Sequence, residues 1–422
     1  MQNSFDSIVI GAGLSGLTAA LHLQKAGHKV LIVEKRNVPG GLCGTTHFDG
    51  YEFVIAANDF GRILERQIKS LDIPLKFKKA KTKFFINGTT LTSPPDPKTL
   101  LKLATCAGDL IRFIKAFKTH ETLEDAVKAT VKDKTLSEFL LALAYPLGML
   151  PKEVQLTSLK KTFSKEFNYG YDQPTLPVGG PRALVDAMVD AFVHRGGQLI
   201  LGTDCTALGK EIVTEKGKFK GDFVVSSTGR WDQYSNDFKP GLAISMFHLA
   251  VKKELIFPKG IHTLVHLPEG VEQWMNDIDS GRQPGAFGFH LFPSELGEKG
   301  LYYTINVYFY LPREINDLSH SAENYIFTNA EKMLPGLGEA MIYKKFISAA
   351  DFQKIHGLSS QATRFVVSGK FDKPSIYDAD KDIYYVGNSV YPDGEHAGGA
   401  MLSGQLAAQH ILLGGKKGEK RR

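Results

Sequence analysis

Three glycines, Gly11, Gly13 and Gly16, stand between an apolar run (Ile8-Val9-Ile10) and an apolar helical face carrying Leu17, Ala20, Leu21 and Leu23. That spacing can hold a dinucleotide. Gly11 permits a tight turn, Gly13 lets the backbone approach a pyrophosphate, and Gly16 lets the helix lie close to its strand. The N–H groups and positive end of that helix, with Ser15 in its first turn, then hold the anion. A second apolar run, Val30 to Val33, ends on Glu34 and Lys35. The Glu34 carboxylate can accept hydrogen bonds from a ribose diol and disfavours a 2′-phosphate, so NADP is not the expected ligand. A lone glycine triplet also occurs in ordinary turns. Strand, triplet, helix, strand and acid in that order carry far more weight.

Directly after the acid comes Pro39-Gly40-Gly41-Leu42-Cys43-Gly44, a second glycine cluster that lets another loop touch phosphates or a ribityl chain. At this point the sequence resembles the flavin-dependent amine oxidase and phytoene desaturase superfamily, in which a Gly-Gly pair follows the ribose acid. The run from Glu34 to Gly41, with Phe48-Asp49-Gly50-Tyr51-Glu52-Phe53, looks most like the branch of phytoene desaturases, carotenoid isomerases and retinol saturases. The resemblance implies flavin adenine dinucleotide (FAD) as cofactor, near Gly11, Gly13, Ser15, Gly16, Glu34, Lys35, Gly41 and Leu42. It also implies that Pro177-Val178-Gly179-Gly180, a helix, Gly196-Gly197 and a strand lead to Cys205, whose backbone would lie against the adenine. At the C-terminal end, Gly387-Asn388 and the Gly398-Gly399-Ala400-Met401 helix start resemble the segment that meets the flavin. Gly387, Asn388, Gly399, Ala400 and Met401 are therefore expected at the cofactor. Relatives carry an acid where this chain has Asn388, and an amide can still hydrogen-bond the ribityl or phosphate region.

Composition sets the frame. A chain of 422 residues can bury a large core and form two or three compact units. The net charge of +6 is mild, and no arginine-rich helix or aromatic–basic ladder marks a nucleic-acid footprint. Cys43, Cys106 and Cys205 have no CxxC spacing, so neither a disulfide framework nor a zinc site is expected. With no secretory leader and no apolar stretch of bilayer length, a cytoplasmic protein is expected.

The elements that must position these residues follow from the pattern. The fold class is α/β, a Rossmann-type FAD-binding domain with a central parallel sheet and a mixed α+β substrate domain inserted discontinuously. Residues 1–82, 172–236 and 371–415 are assigned to the former, 83–171 and 237–370 to the latter, and 416–422 to a basic tail. A hairpin is expected around Asn87-Gly88. After Pro94-Pro95, the residues Leu100, Leu103, Ala107, Leu110, Ile114 and Phe117 recur at helical spacing beside Lys102, Arg112, Lys115 and Lys118. They predict one basic amphipathic helix, either a lid on the substrate domain or a peripheral membrane contact. Segments 242–251, 288–292 and 302–310 read as an antiparallel sheet roofing the flavin. Tyr303, Asn306, Tyr308 and Tyr310 could point into the cavity beneath it.

A flavin accepts a hydride from a C–H bond held over the ring, while the protein supplies orientation and electrostatics. With one GxGxxG signal, no separate NAD(P)H site is expected. His262 and His266 are four apart but lack companion acids or cysteines, so no metal is expected. Cys43 could form a covalent flavin link or be a buried small residue. The catalytic candidates are Asp59, beside Asn58 after the second glycine region, and Glu395 with His396, before the flavin-facing helix; loop polarity explains each equally well. Three functions compete. The first is an FAD-dependent oxidoreductase acting on a polyene or isoprenoid by desaturation, saturation or isomerisation. The second is a soluble amine or amino-acid oxidase, which needs a carboxylate-binding arginine or an aromatic cage over the ring, and the sequence places neither. The third is a non-catalytic prenyl-lipid carrier of the escort-protein type.

Overall fold

The computed structural model describes residues 4–58, 60–86, 88–162, 164, 167, 169–170, 173–230, 238–294, 301–358, 365–367, 373–392 and 397–414. Strand β1 (Ser4–Ile10), helix α1 (Leu14–Lys25) and strand β2 (Val30–Val33) form the expected strand–helix–strand unit. Both strands are apolar runs buried on two sides, as a parallel sheet flanked by helices requires. Around them the sheet grows by parallel pairing. Gln198–Ile200 adds beside β2, Gly217–Ser226 beside β1, and Ile383–Tyr385 beside the end of Gly217–Ser226. Strands from the N-terminal, middle and C-terminal stretches thus meet in one sheet. The C-terminal helix Ala397–Leu412 packs on α1, and a Cβ on Gly404 would stand 2.3 Å from the Ser15 carbonyl oxygen. Only glycine permits that crossing.

The second sheet has seven strands, in the order Met341–Ile347, Ala243–Lys252, Tyr302–Leu311, Phe289–Ser294, Thr263–Leu267, Thr82–Ile86 and Thr89–Ser93. All neighbours are antiparallel except Thr82–Ile86 beside Thr263–Leu267. Thr82–Ile86 and Thr89–Ser93 are the hairpin expected from Asn87-Gly88; Asn87 lies outside the described residues. One large apolar cluster joins this sheet to the helices between residues 97 and 162.

One expectation fails here. Instead of a single helix from 100 to 117 there are two, Pro97–Thr105 and Ala107–Ala116, separated at Cys106. The second helix restarts nearly in phase, so the spacing runs on through the break. Asp109 fixes the second helix against the next segment by accepting from the N–H groups of Lys132 and Asp133 at 2.7 and 2.8 Å. The buried side carries Thr99, Cys106, Phe113 and Ala116, while Leu100 and Ile114, expected to face inward on the lid reading, are exposed. Among the described residues, no helix is long and apolar enough to cross a membrane.

Candidate active site

The turn after β1 is shaped by the absence of side chains. Gly11 has φ +94°, and a Cβ there would stand 2.1 Å from Ser227 Oγ. A Cβ on Gly16 would come 2.1 Å from the Gly11 carbonyl oxygen, so Gly16 holds α1 against the strand rather than lining the site. Gly13 caps α1 without a side-chain bond, leaving the first-turn N–H groups for a ligand. The second glycine loop stacks directly on this turn. The Gly40 N–H donates to the Ala12 carbonyl at 2.8 Å, and a Cβ on Gly41 would stand 3.2 Å from Gly13 Cα. Two bare backbones facing one another leave room for a pyrophosphate. Glu34 is buried, and its two oxygens accept from the N–H groups of Ala12 and Arg36 at 2.7 and 2.9 Å. The acid expected at the ribose therefore anchors the glycine turn.

From this cradle a continuous cavity of about 750 Å³ runs to the second sheet. Gly11, Gly13, Ser15, Glu34, Lys35, Gly41, Leu42, Cys205, Gly387, Asn388 and Ala400 all line it. Gly16, Gly399 and Met401 do not; Met401 is fully buried in the core. The Cys205 N–H donates to Asp204 Oδ1 at 2.9 Å. Asn388 Oδ1 is buried without a hydrogen-bond partner, although Asn388 lines the cavity. An orphaned acceptor in the cavity that also holds the open helix start and the glycine cradle fits a ligand that carries hydroxyls beside its phosphates.

The far half of the cavity is built by register. Met246, Tyr308, His290, Val265 and Phe84 are cross-strand partners in succession over five strands, and all five line the cavity. Phe139, Leu143, Leu147 and Leu159 close it from the helical side. The tyrosine hydroxyls are already engaged. Tyr145 donates to the Gly288 carbonyl at 2.8 Å, Tyr310 to that of Tyr145 at 2.7 Å, and Tyr308 to that of Ala56 at 2.5 Å. These rings therefore present carbon to the cavity. Asn58 is pinned at the junction of the two halves: its amide donates to Tyr308 Oη at 2.7 Å, Oδ1 accepts from Ser294 Oγ at 3.2 Å, and its carbonyl accepts from His262 Nε2 at 2.7 Å. Among the described lining residues the charged side chains are Glu34, Lys35 and Asp204, all at the glycine end. The apolar half has none.

Histidine positions differ from the expectation. Asp59, Glu395 and His396 lie outside the described residues. His290, which the sequence did not single out, lines the apolar half with its ring centroid 4.7 Å from that of Tyr145. Its signal was the alternation of Phe289–Ser294, which says that 290 and 292 share a face but not which face meets the cavity. His262 and His266 do not converge: the first bonds Asn58 and the second contacts Tyr325 Oη at 2.8 Å. Burial lowers both to about 4. His248, behind the cavity wall, contacts Asn306 Oδ1 at 2.9 Å, and burial lowers it to about 4 against the raising effect of that bond. Asn306 donates its amide hydrogens to the Val54 carbonyl and Tyr308 Oη, so the protonated nitrogen of His248 is Nδ1. Tyr303 is a correction. It lies on the opposite face of its strand from Tyr308 and Tyr310, with its ring against Phe257. The Cys43 thiol is buried and pushed far up by desolvation, the condition of a packing residue rather than a nucleophile.

Comparison with known proteins agrees with this geometry. Residues 9–62 match the NAD(P)-binding Rossmann-like domain. The prolycopene isomerase 2 of an Oncidium hybrid is 20% identical over 96% of this chain and 84% of its own length. The phytoene dehydrogenase of Streptomyces griseus is 52% identical over 44 residues, which span 10% of this chain and only 9% of that protein. Among solved structures, an oxidoreductase from Methanosarcina mazei superposes with a TM-score of 0.62 at 17% identity, covering 96% of this chain and 99% of that one. Putrescine oxidase with bound putrescine gives 0.63 at 15% identity, covering 98% and 100%. These neighbours share the two-sheet fold.

Proposed function

We propose that this chain, which is similar to phytoene desaturases and carotenoid isomerases in sequence and to amine oxidases in fold, is an FAD-dependent oxidoreductase acting on an apolar polyene or isoprenoid. The observation that carries the substrate class is the uncharged far half of the cavity, walled by Phe84, Phe139, Leu143, Val265 and Phe292. A small amine needs a charged or free polar partner to orient it; the far half carries no charged side chain among the described residues, and its Asn58 amide and tyrosine hydroxyls are already bonded within the protein. The escort-type carrier is the weaker alternative, because a carrier has no use for a dinucleotide cradle continuous with the lipid chamber.

Gly11, Gly13, Gly41 and the first turn of α1 would hold the pyrophosphate, Glu34 the ribose diol, and Asn388 the ribityl or phosphate oxygens. Bound FAD supplies an acceptor and donor of hydride. The chain's part is to lay a conjugated or saturated C–C segment along the row Met246, Tyr308, His290, Val265 and Phe84 and to keep water from it. His290, the ionisable side chain of that row, can take or return the proton that accompanies a change in double bonds. The fixed hydroxyls of Tyr145, Tyr308 and Tyr310 hold the wall rigid. Delivery from a membrane surface, on which such substrates reside, completes the proposal.

The test is anaerobic incubation of FAD-loaded protein with phytoene, with retinol and with putrescine, followed by chromatography of the products and a peroxide assay on re-aeration. A changed double-bond pattern in a polyene is the expected outcome. Turnover of putrescine with peroxide release, and no polyene product, overturns the reading.

A further inference from the structure

The two helices Pro97–Thr105 and Ala107–Ala116 expose an unusual side to solvent. Leu100, Leu101, Ile111 and Ile114 have relative exposures of 54, 70, 54 and 66%, four large aliphatic side chains within fifteen residues. Their inward sides are already used, by Thr99, Cys106, Phe113 and Ala116, so the outward side is not a core face awaiting its own domain. Within residues 97–119 the unpaired charge has one sign. Lys98, Lys115 and Lys118 are exposed and form no ion pair among the described residues. The acid within the two helices, Asp109, is buried and paired with Arg112, and Lys102 is held by Asp133 from outside them. Asp96, which caps the first helix, has Lys81 near it.

We propose that this pair of successive helices docks the protein on an anionic lipid surface, with Leu100, Leu101, Ile111 and Ile114 entering the acyl boundary and Lys98, Lys115 and Lys118 meeting the headgroups. Aliphatic tips flanked by long cationic chains fit a bilayer interface, where lysine stems lie along apolar surface and their ammonium groups reach phosphates. A second copy of the chain would bring the same positive charge against it. The first helix also stands beside the chamber: Thr99 Oγ1 accepts from the Thr92 N–H at 2.9 Å, and the next residue, Ser93, lines the cavity. The inference deepens the apolar-substrate reading by naming where that substrate enters, but the binding it asserts needs neither flavin nor substrate.

The full chain is sedimented with vesicles of neutral phosphatidylcholine, alone and with about a third phosphatidylglycerol. Binding is expected only with phosphatidylglycerol and should weaken as salt rises. The double change Leu101→Ser with Ile114→Ser and the triple reversal Lys98→Glu, Lys115→Glu, Lys118→Glu should each weaken it by at least about tenfold. Thermal unfolding and FAD content should stay at the wild-type level in both. A variant ending at residue 414 separates the two helices from the basic C-terminal tail, and should still bind. Absence of wild-type binding, full binding by the double or triple variant, or loss on removing the tail alone overturns the proposal. Because no step uses turnover, chain that binds vesicles yet leaves polyenes unchanged would overturn the enzymatic reading and leave this one standing.

Discussion

Replacing Glu34 with glutamine tests whether one carboxylate both anchors the glycine turn and receives the ribose. In the wild type each oxygen accepts a backbone N–H, from Ala12 at 2.7 Å and from Arg36 at 2.9 Å. A glutamine of the same length has one carbonyl oxygen. In either orientation its NH2 faces one of those two N–H groups, donor against donor, in a place where the wild-type side chain is only 7% exposed. Loss of one charge-assisted bond and burial of an unsatisfied N–H together cost about 2–3 kcal/mol. Because the Ala12 N–H lies between Gly11 and Gly13, part of that loss appears as a looser cradle. The apoprotein should melt several degrees lower, and its affinity for FAD, followed by quenching of flavin fluorescence, should fall by roughly ten- to a hundredfold. Glu34→Asp keeps the charge but shortens the reach, so it should fall between the two. Wild-type melting and FAD affinity within about twofold of wild type in Glu34→Gln would refute the double role.

Gly404→Ala places a Cβ 2.3 Å from the Ser15 carbonyl oxygen and 3.1 Å from the Ala19 nitrogen, both backbone atoms that cannot rotate away. Forcing α1 and the C-terminal helix apart should cost about 1–3 kcal/mol, read in a urea melt together with weaker FAD binding; an unchanged melt refutes the crossing. Acid should destabilise the fold through the buried imidazoles. His248 is lowered to about 4 and His356 to about 3, by burial first in each case, so the unfolded chain binds more protons below the ordinary value of 6.5. Stability is then fully present above about pH 6.5 and is lost as the pH falls toward 4, and His248→Asn should remove about 3 kcal/mol or less of that loss. Urea melts at pH 7 and 4.5 measure it, and identical slopes in both proteins refute it. His290→Gln should slow turnover of a polyene by at least about tenfold while FAD affinity stays within about twofold. Unaltered turnover removes His290 from the proton path.

What the sequence disclosed follows from how locally each feature is determined. The glycine turn was legible because its constraint is backbone geometry a few residues long: Gly11 must take φ +94°, and Gly16 must let Gly11 approach. The chamber is different. His290 meets Tyr308 and Val265 only because strands from three distant stretches align in one register, and local alternation offers two faces without choosing between them. The same ambiguity placed Tyr303 in the cavity beside Tyr308 and Tyr310. In the two helices after Pro97 the error came from the opposite source, a period too regular to reveal a break. Leu100 and Ile114 sit at helical spacing with Leu103 and Leu110, yet Phe113 and Ala116 are the residues turned inward. Periodicity finds an amphipathic face but cannot say whether protein or lipid covers it. Buried apolar groups and lipid-facing ones are selected by the same transfer free energy, so the distinction rests on what lies around them. Here that surround is Lys98, Lys115 and Lys118, exposed on two successive helices whose one acid is buried. A lid closing on its own domain has no use for such a rim, and the docking on anionic headgroups proposed above gives it one.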